Sequence, residues 1–274
     1  MEEDKKKVRL KSIFVLLLIL FVGGVFTLHI LPRGIAKGFD LLTGVNLDSH
    51  DLATRYGMGI ISRLIGLAIL LPVFFRLNVM KNFTYRITGT CFVLSWMFFV
   101  YIVANLEVDG MKYATPQLIL LMVLECFVIG FYEEILFRGV LLRQFMELFE
   151  DGQGKCMCAV LTSSLAFALV HLMNLFTGAR IEAVLSQVVY TFILGIAFSA
   201  LLIRTNWNLL WCGLIHSLYD MASGFGDFAV LQQTENVTVS PQTVNAGAYL
   251  INLCLFIPLL LYGIFLLRKR NISV

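Results

Sequence analysis

The sequence predicts an all-α membrane protein: a bundle of about eight transmembrane helices with both termini in the cytoplasm. Three observations carry this. Hydrophobic residues make up 59% of the 274 positions and charged residues only 14%, against about 45–50% and about 25% in ordinary soluble domains. The apolar residues fall into long runs. The lysines and arginines between those runs are unevenly shared. A soluble core has no room for so much apolar surface, so lipid must be the solvent.

A spanning helix needs about 20 apolar residues. The runs lie near residues 12–31, 57–75, 87–105, 118–137, 158–176, 183–203, 209–223 and 247–267, the seventh being the shortest. The first follows a basic stretch, but it is longer than a signal-peptide core and no small-residue cleavage site follows it, so it reads as a retained anchor. With the N-terminus inside, fourteen Lys and Arg residues, among them Lys5, Arg76, Arg86, Arg143, Lys155 and Arg204, lie on the inner side. Only Arg33, Lys37, Arg55, Lys112 and Arg180 lie outside. That is a clear positive-inside bias. The segment after residue 223 is a polar outer loop with a sequon at Asn236. The six cysteines sit mostly in apolar runs and show no disulfide framework. Cys156 and Cys158 lack the further ligands a metal would need. The net charge of +3 says little by itself, and no nucleic-acid partner is expected.

Ionisable side chains inside spans are costly, about 2.5–3.5 kcal/mol each on insertion scales, and face a bundle interior or a water cavity. Here they are Arg63 in the second run; Glu125, Glu133, Glu134 and Arg138 in or at the end of the fourth; His171 in the fifth; and His216 and Asp220 in the seventh. Glu134 and Arg138 are four apart, share a helix face and are able to pair. Glu133 points about 100° away from Glu134. Phe167 and His171 share a face, as do His216 and Asp220. Asp220 either fixes the imidazole tautomer of His216 or shares a cavity with it. Arg63 either snorkels or pairs with a carboxylate. Such a set suits peptide hydrolysis, which needs a water, a base and donors for an oxyanion. Glu133 is the candidate base and His171 the holder of water. His216 and Asp220 are candidates for steadying the intermediate, and Arg138 for holding Glu134.

The ordered motifs Glu133-Glu134-x-x-x-Arg138, Phe167-x-x-x-His171 and His216-x-x-x-Asp220 resemble the signature of the CAAX-protease and bacteriocin-processing (CPBP) family, which includes the Ras-converting CAAX endopeptidases. The resemblance implies an eight-helix bundle in the cell membrane, with a conical cavity opening to the inner leaflet and cytosol. On it, residues 118–223 form the catalytic core of helices 4–7, 1–117 the first three helices, and 224–274 the outer loop and last helix of one integrated bundle. Glu133 activates water between the two histidines, with Glu134, Arg138, Phe167 and Asp220 completing the site. Asp220 stands where CAAX enzymes often carry Asn, which leaves the oxyanion role or the substrate different. The substrate is a peptide or membrane-associated protein. The reaction is either metal-free, with no cofactor, or uses a catalytic zinc on Glu133, His171 and His216. A non-catalytic regulator or bacteriocin-immunity protein is the alternative, with a membrane partner such as a sensor kinase, or a homodimer. A proton-relay transporter is the third reading, but no inverted repeat supports it. The pairs Tyr219-Asp220 and Gly224-x-Gly226-Asp227 superficially match aspartyl-protease motifs, yet they fall in one chain segment.

Overall fold

A computed structural model describes residues 2–44, 51–80, 83–149, 154–177, 179–229 and 246–268. The sequon at Asn236 lies outside them, as do Lys81, Lys269 and Arg270. Among the described residues there is no strand. The elements are α1 (Glu2–Leu18), a π-helical stretch (Ile19–Ile30), α2 (Leu31–Thr43), α3 (Leu52–Arg76), α4 (Gly89–Leu94), α5 (Trp96–Ala104), a 3-10 turn (Val108–Tyr113), α6 (Pro116–Glu133), a second π-helical stretch (Glu134–Leu141) and α7 (Leu142–Leu148). They continue with α8 (Lys155–Val170), a 3-10 segment (His171–Thr177), α9 (Ile181–Arg204), α10 (Leu209–Gly224), a 3-10 segment (Phe225–Ala229), α11 (Ala246–Leu255) and α12 (Ile257–Leu266).

Four helical stretches are long and apolar enough to cross a membrane: Lys6–Thr43, Leu52–Arg76, Lys155–Phe176 and Ile181–Arg204. The first runs well past the stretch expected from apolarity, because the helix continues into α2. The other expected runs depart for identifiable reasons. Residues 87–105 break at Ser95, whose hydroxyl accepts the Trp211 indole N–H at 2.8 Å. The final run breaks at Phe256, before Pro258, which has no N–H to continue the ladder. α10 is only 16 residues, and α6 with its π continuation carries three glutamates. Large apolar side chains such as Phe21, Phe75 and Val103 face outward, as a lipid solvent allows.

Caps set several helix starts. The Asp51 carboxylate accepts the Thr54 N–H at 2.8 Å, which holds this carboxyl below the usual range. Thr115 caps α6 ahead of Pro116, and Asn208 caps α10 by accepting from the Trp211 N–H at 3.0 Å. One apolar core runs from Val15 through Phe137, Phe198 and Ile215 to Leu267.

The bundle has two distinct ends. At one, Asn208 donates to the Arg86 carbonyl at 2.9 Å, Thr84 donates to the Asn206 carbonyl at 2.8 Å, and Arg143 lies 3.9 Å over the Trp207 ring. At the other, Arg55 at the start of α3 pairs with Asp227 beyond α10, and Arg33 donates to the Phe176 carbonyl at 3.1 Å.

Between the ends, α6 and α10 meet at glycines. A Cβ on Gly130 would sit 2.8 Å from the Ser217 backbone nitrogen, and one on Gly213 would sit 2.7 Å from the Phe131 ring. Small residues let helix backbones approach in just this way. Gly130→Ala is therefore expected to lower stability in detergent by about 1–3 kcal/mol, the usual scale of overpacking. Gly34→Ala in α2, where a Cβ meets nothing within 4 Å, is expected to leave it unchanged or raise it slightly. Thermal unfolding of both variants checks the pair.

Candidate active site

The sequence ends α6 at Glu133 and begins the wider π-helical turn at Glu134. Two adjacent carboxylates thus leave one rod in different directions. Glu134 and Arg138 are both buried, with Arg138 Nη1 3.2 Å from Glu134 Oε1. The close approach of α6 and α10 brings His216 to the same carboxylate, with Nδ1 2.8 Å from Glu134 Oε1. A carboxylate oxygen accepts, so Nδ1 carries the proton. The other ring nitrogen, Nε2, faces two further acids: Glu133 Oε2 at 3.6 Å and Asp220 Oδ2 at 3.8 Å.

Spacing alone pairs Asp220 with His216, one turn apart. The structure instead gives the short contact to Glu134 from the neighbouring helix and leaves Asp220 beside Nε2. Of the two alternatives for Asp220, tautomer fixing falls to Glu134 and cavity sharing to Asp220.

Aromatic rings hold the charged groups. The Arg138 guanidinium carbon lies 4.2 Å from the Phe167 ring centroid and 5.6 Å from that of Phe198. Its two terminal nitrogens make no hydrogen bond, so the attraction of Glu134 and the ring faces keep it in place. Phe198 also stacks on His216 at 4.8 Å and 20°. Phe167 meets the edge of His171 at 5.0 Å. The His171 Nδ1–H donates to the Phe167 carbonyl at 3.1 Å, which leaves Nε2 as the lone-pair nitrogen.

Glu133, His171, His216 and Asp220 line one cavity of about 570 Å³. Glu134 and Arg138 stand behind it. Arg63 and Glu125 line it as well and pair at 3.6 Å, so Arg63 takes the carboxylate partner that was one of its two expected fates. The cavity is also bordered by Phe137, Asn174, Gln187 and Tyr190.

Residues 114–222 match the family of Rce1-like, type II CAAX prenyl endopeptidases. This is well under half of the chain, but it holds every residue of the three motifs. The match bears out the resemblance to CPBP peptidases over that segment, and members of the matched family are peptide-bond hydrolases. No curated protein matches the chain, and no solved structure does.

Sequence reasoning missed Phe198, Gly130 and Gly213. The glycines left a signal, small residues within apolar runs, whereas nothing marked Phe198 among so many phenylalanines. It also passed over His29, which is buried in the first long helix against Phe176 and has neither ring nitrogen hydrogen-bonded. His29 does not line the cavity. Among the described residues, no three His, Cys, Asp or Glu side chains converge to hold a metal ion. Glu133, His171 and His216 border one space without forming a ligand set.

The two glutamates are expected to separate by experiment. Glu134→Ala leaves buried Arg138 and His216 without their shared acceptor and should destabilise the protein by about 3–5 kcal/mol, as breaking buried ion pairs does. Glu133→Ala, at the cavity wall, should unfold close to the unaltered chain. Thermal unfolding in detergent reads both.

Proposed function

We propose that this chain is a multi-pass endopeptidase of the cell membrane that cleaves a peptide or membrane-associated protein by water activated at Glu133. On this reading the bundle crosses the membrane eight times, with both termini cytoplasmic. The observation that supports the chemistry most is the meeting of Glu133, His171, His216 and Asp220, from three separate helical segments, around one polar cavity inside an apolar bundle.

The geometry supports the following reaction. A water in the cavity donates a hydrogen bond to Glu133. As its oxygen attacks the scissile carbonyl carbon, its proton passes to the Glu133 carboxylate. The C–O bond forms and the carbonyl π electrons move to oxygen. His171, whose Nε2 is a lone pair, accepts a hydrogen bond from the same water and orients it. His216, anchored through Nδ1 to Glu134, donates from Nε2 to the oxyanion in its protonated form. Glu134 stabilises that charge, and Arg138 pairs with Glu134 from behind. The proton on Glu133 then passes to the leaving nitrogen, the C–N bond breaks, and an acid and an amine result. Among the described residues, the buried Asp220 Oδ2 has no hydrogen-bond partner. It suits a substrate N–H better than an oxyanion, since a carboxylate accepts.

Glu133→Ala and Glu133→Gln should each lower cleavage of a membrane-anchored reporter by at least about 100-fold, the lower scale of general-base catalysis. Either variant retaining cleavage would sink the base assignment. The reaction is proposed to need no metal. Dialysis against 1,10-phenanthroline should leave cleavage unchanged, and loss restored by added zinc would assign the ion a role.

A further inference from the structure

We propose that the cavity opens to the non-cytoplasmic face of the membrane, so that the substrates are polypeptide segments presented from that side rather than cytosolic chain ends. This rests on the peptidase reading for the word substrate, but not for the direction of the opening.

The direction comes from which element ends border the cavity. Its wall includes Tyr56 in the first turns of α3, Asn105 just past α5, Ser223 and Gly224 at the end of α10, and Asp227 beyond it. All belong to the end of the bundle joined by the Arg55–Asp227 pair. At that end Glu107, two residues after Asn105, donates its backbone N–H to the Ala222 carbonyl at 3.2 Å. Ser223 is exposed. From there inward, Asp227, the Arg63–Glu125 pair and Glu133 line the same cavity.

The opposite direction is closed. One turn beyond Glu134 and Arg138 lie Val140, Leu141 and Leu142, with Leu201, Leu202 and Cys212 facing them from α9 and α10, all wholly buried. None of these six borders the cavity. A hydrated peptide has no polar path through that layer.

Charge assigns the two ends to the two faces. The closed end carries Arg76 and Arg204 as the last residues of α3 and α9, Lys155 as the first of α8, and Arg86 and Arg143 between. The open end has fewer cations. They are Arg33, Lys37, Arg55, Lys112 and Arg180, while the closed end also has Lys6, Lys7, Arg9 and Lys11 of α1, which packs on α7. By the positive-inside bias the closed end is cytoplasmic, and the cavity mouth is therefore outside. The family resemblance implies a cytosolic mouth, so this chain's own charges argue against carrying that feature over.

The test is cysteine accessibility in the full-length chain, with Cys126, Cys156, Cys158 and Cys254 changed to Ala. One cysteine at a time is then added, beside the buried native Cys91 and Cys212, at the open end (Ser223→Cys) or in the exposed segment of the closed end (Tyr85→Cys). Intact cells are treated with a bulky membrane-impermeant maleimide, before or after permeabilisation. Ser223→Cys is expected to react in intact cells, and Tyr85→Cys only after permeabilisation. A folded Ser223→Cys protein that stays unreactive in intact cells overturns the proposal, as does Tyr85→Cys reacting there. Asp109→Cys carries the same test should Ser223→Cys fail to fold. Full modification of Ser223→Cys from outside is further expected to stop reporter cleavage, and undiminished cleavage overturns the proposed substrate route. Labelling needs no turnover, so its outcome is separate from that of the Glu133 variants, which tests the peptidase reading itself.

Discussion

The site is organised around one buried carboxylate. Glu134 receives His216 at 2.8 Å and Arg138 at 3.2 Å on the same oxygen, deep in an apolar bundle. A lone carboxylate there would carry a desolvation penalty of several kcal/mol. Each partner offsets part of it, and neither is dispensable to the other. The constraint propagates outward: Arg138 must lie against Glu134, so Phe167 and Phe198 supply the remaining faces of its guanidinium. Phe198 then stacks on His216. The imidazole is thus fixed in tautomer by Glu134 and in plane by Phe198, which leaves a single ring nitrogen for chemistry.

That arrangement depends on backbone geometry as much as on charge. The change from α to π winding at Glu134 separates the directions of two neighbouring glutamates, one buried among its partners and one at the cavity wall. π-helical insertions of this kind are often found at functional sites. The contact of Gly130 with Ser217 sets how near α10 comes to α6. With any larger residue at that contact, the 2.8 Å bond from His216 to Glu134 would have to lengthen or the helices to shift. Two features without ionisable chemistry therefore decide whether the ionisable ones meet.

The cavity is bordered by polar residues toward one end of the bundle and backed by aliphatic ones toward the other. The seal of Val140, Leu141, Leu142, Leu201 and Leu202 lies directly behind the charged hub. It keeps Arg138 and Glu134 in a medium where their attraction is strong, while Glu133 and Asp220 line the cavity. One layer of aliphatic side chains thus backs the charged hub and closes that end of the bundle.

The sequence by itself determined that the chain lives in lipid, that Glu134 pairs with Arg138, and which carboxylates and imidazoles belong to one site. The first follows from composition, and the second from the i, i+4 geometry of a single helix. The third was legible because charges within apolar runs are too costly to be accidental. Only the tertiary structure decided that Glu134, rather than Asp220, grips His216, that Arg63 answers Glu125, and that Phe198 completes the cage around Arg138. Each of these is a contact between helices. Spacing along one rod fixes which face a side chain takes, but not which rod stands opposite, how closely two glycines let them approach, or where a π turn rotates the register.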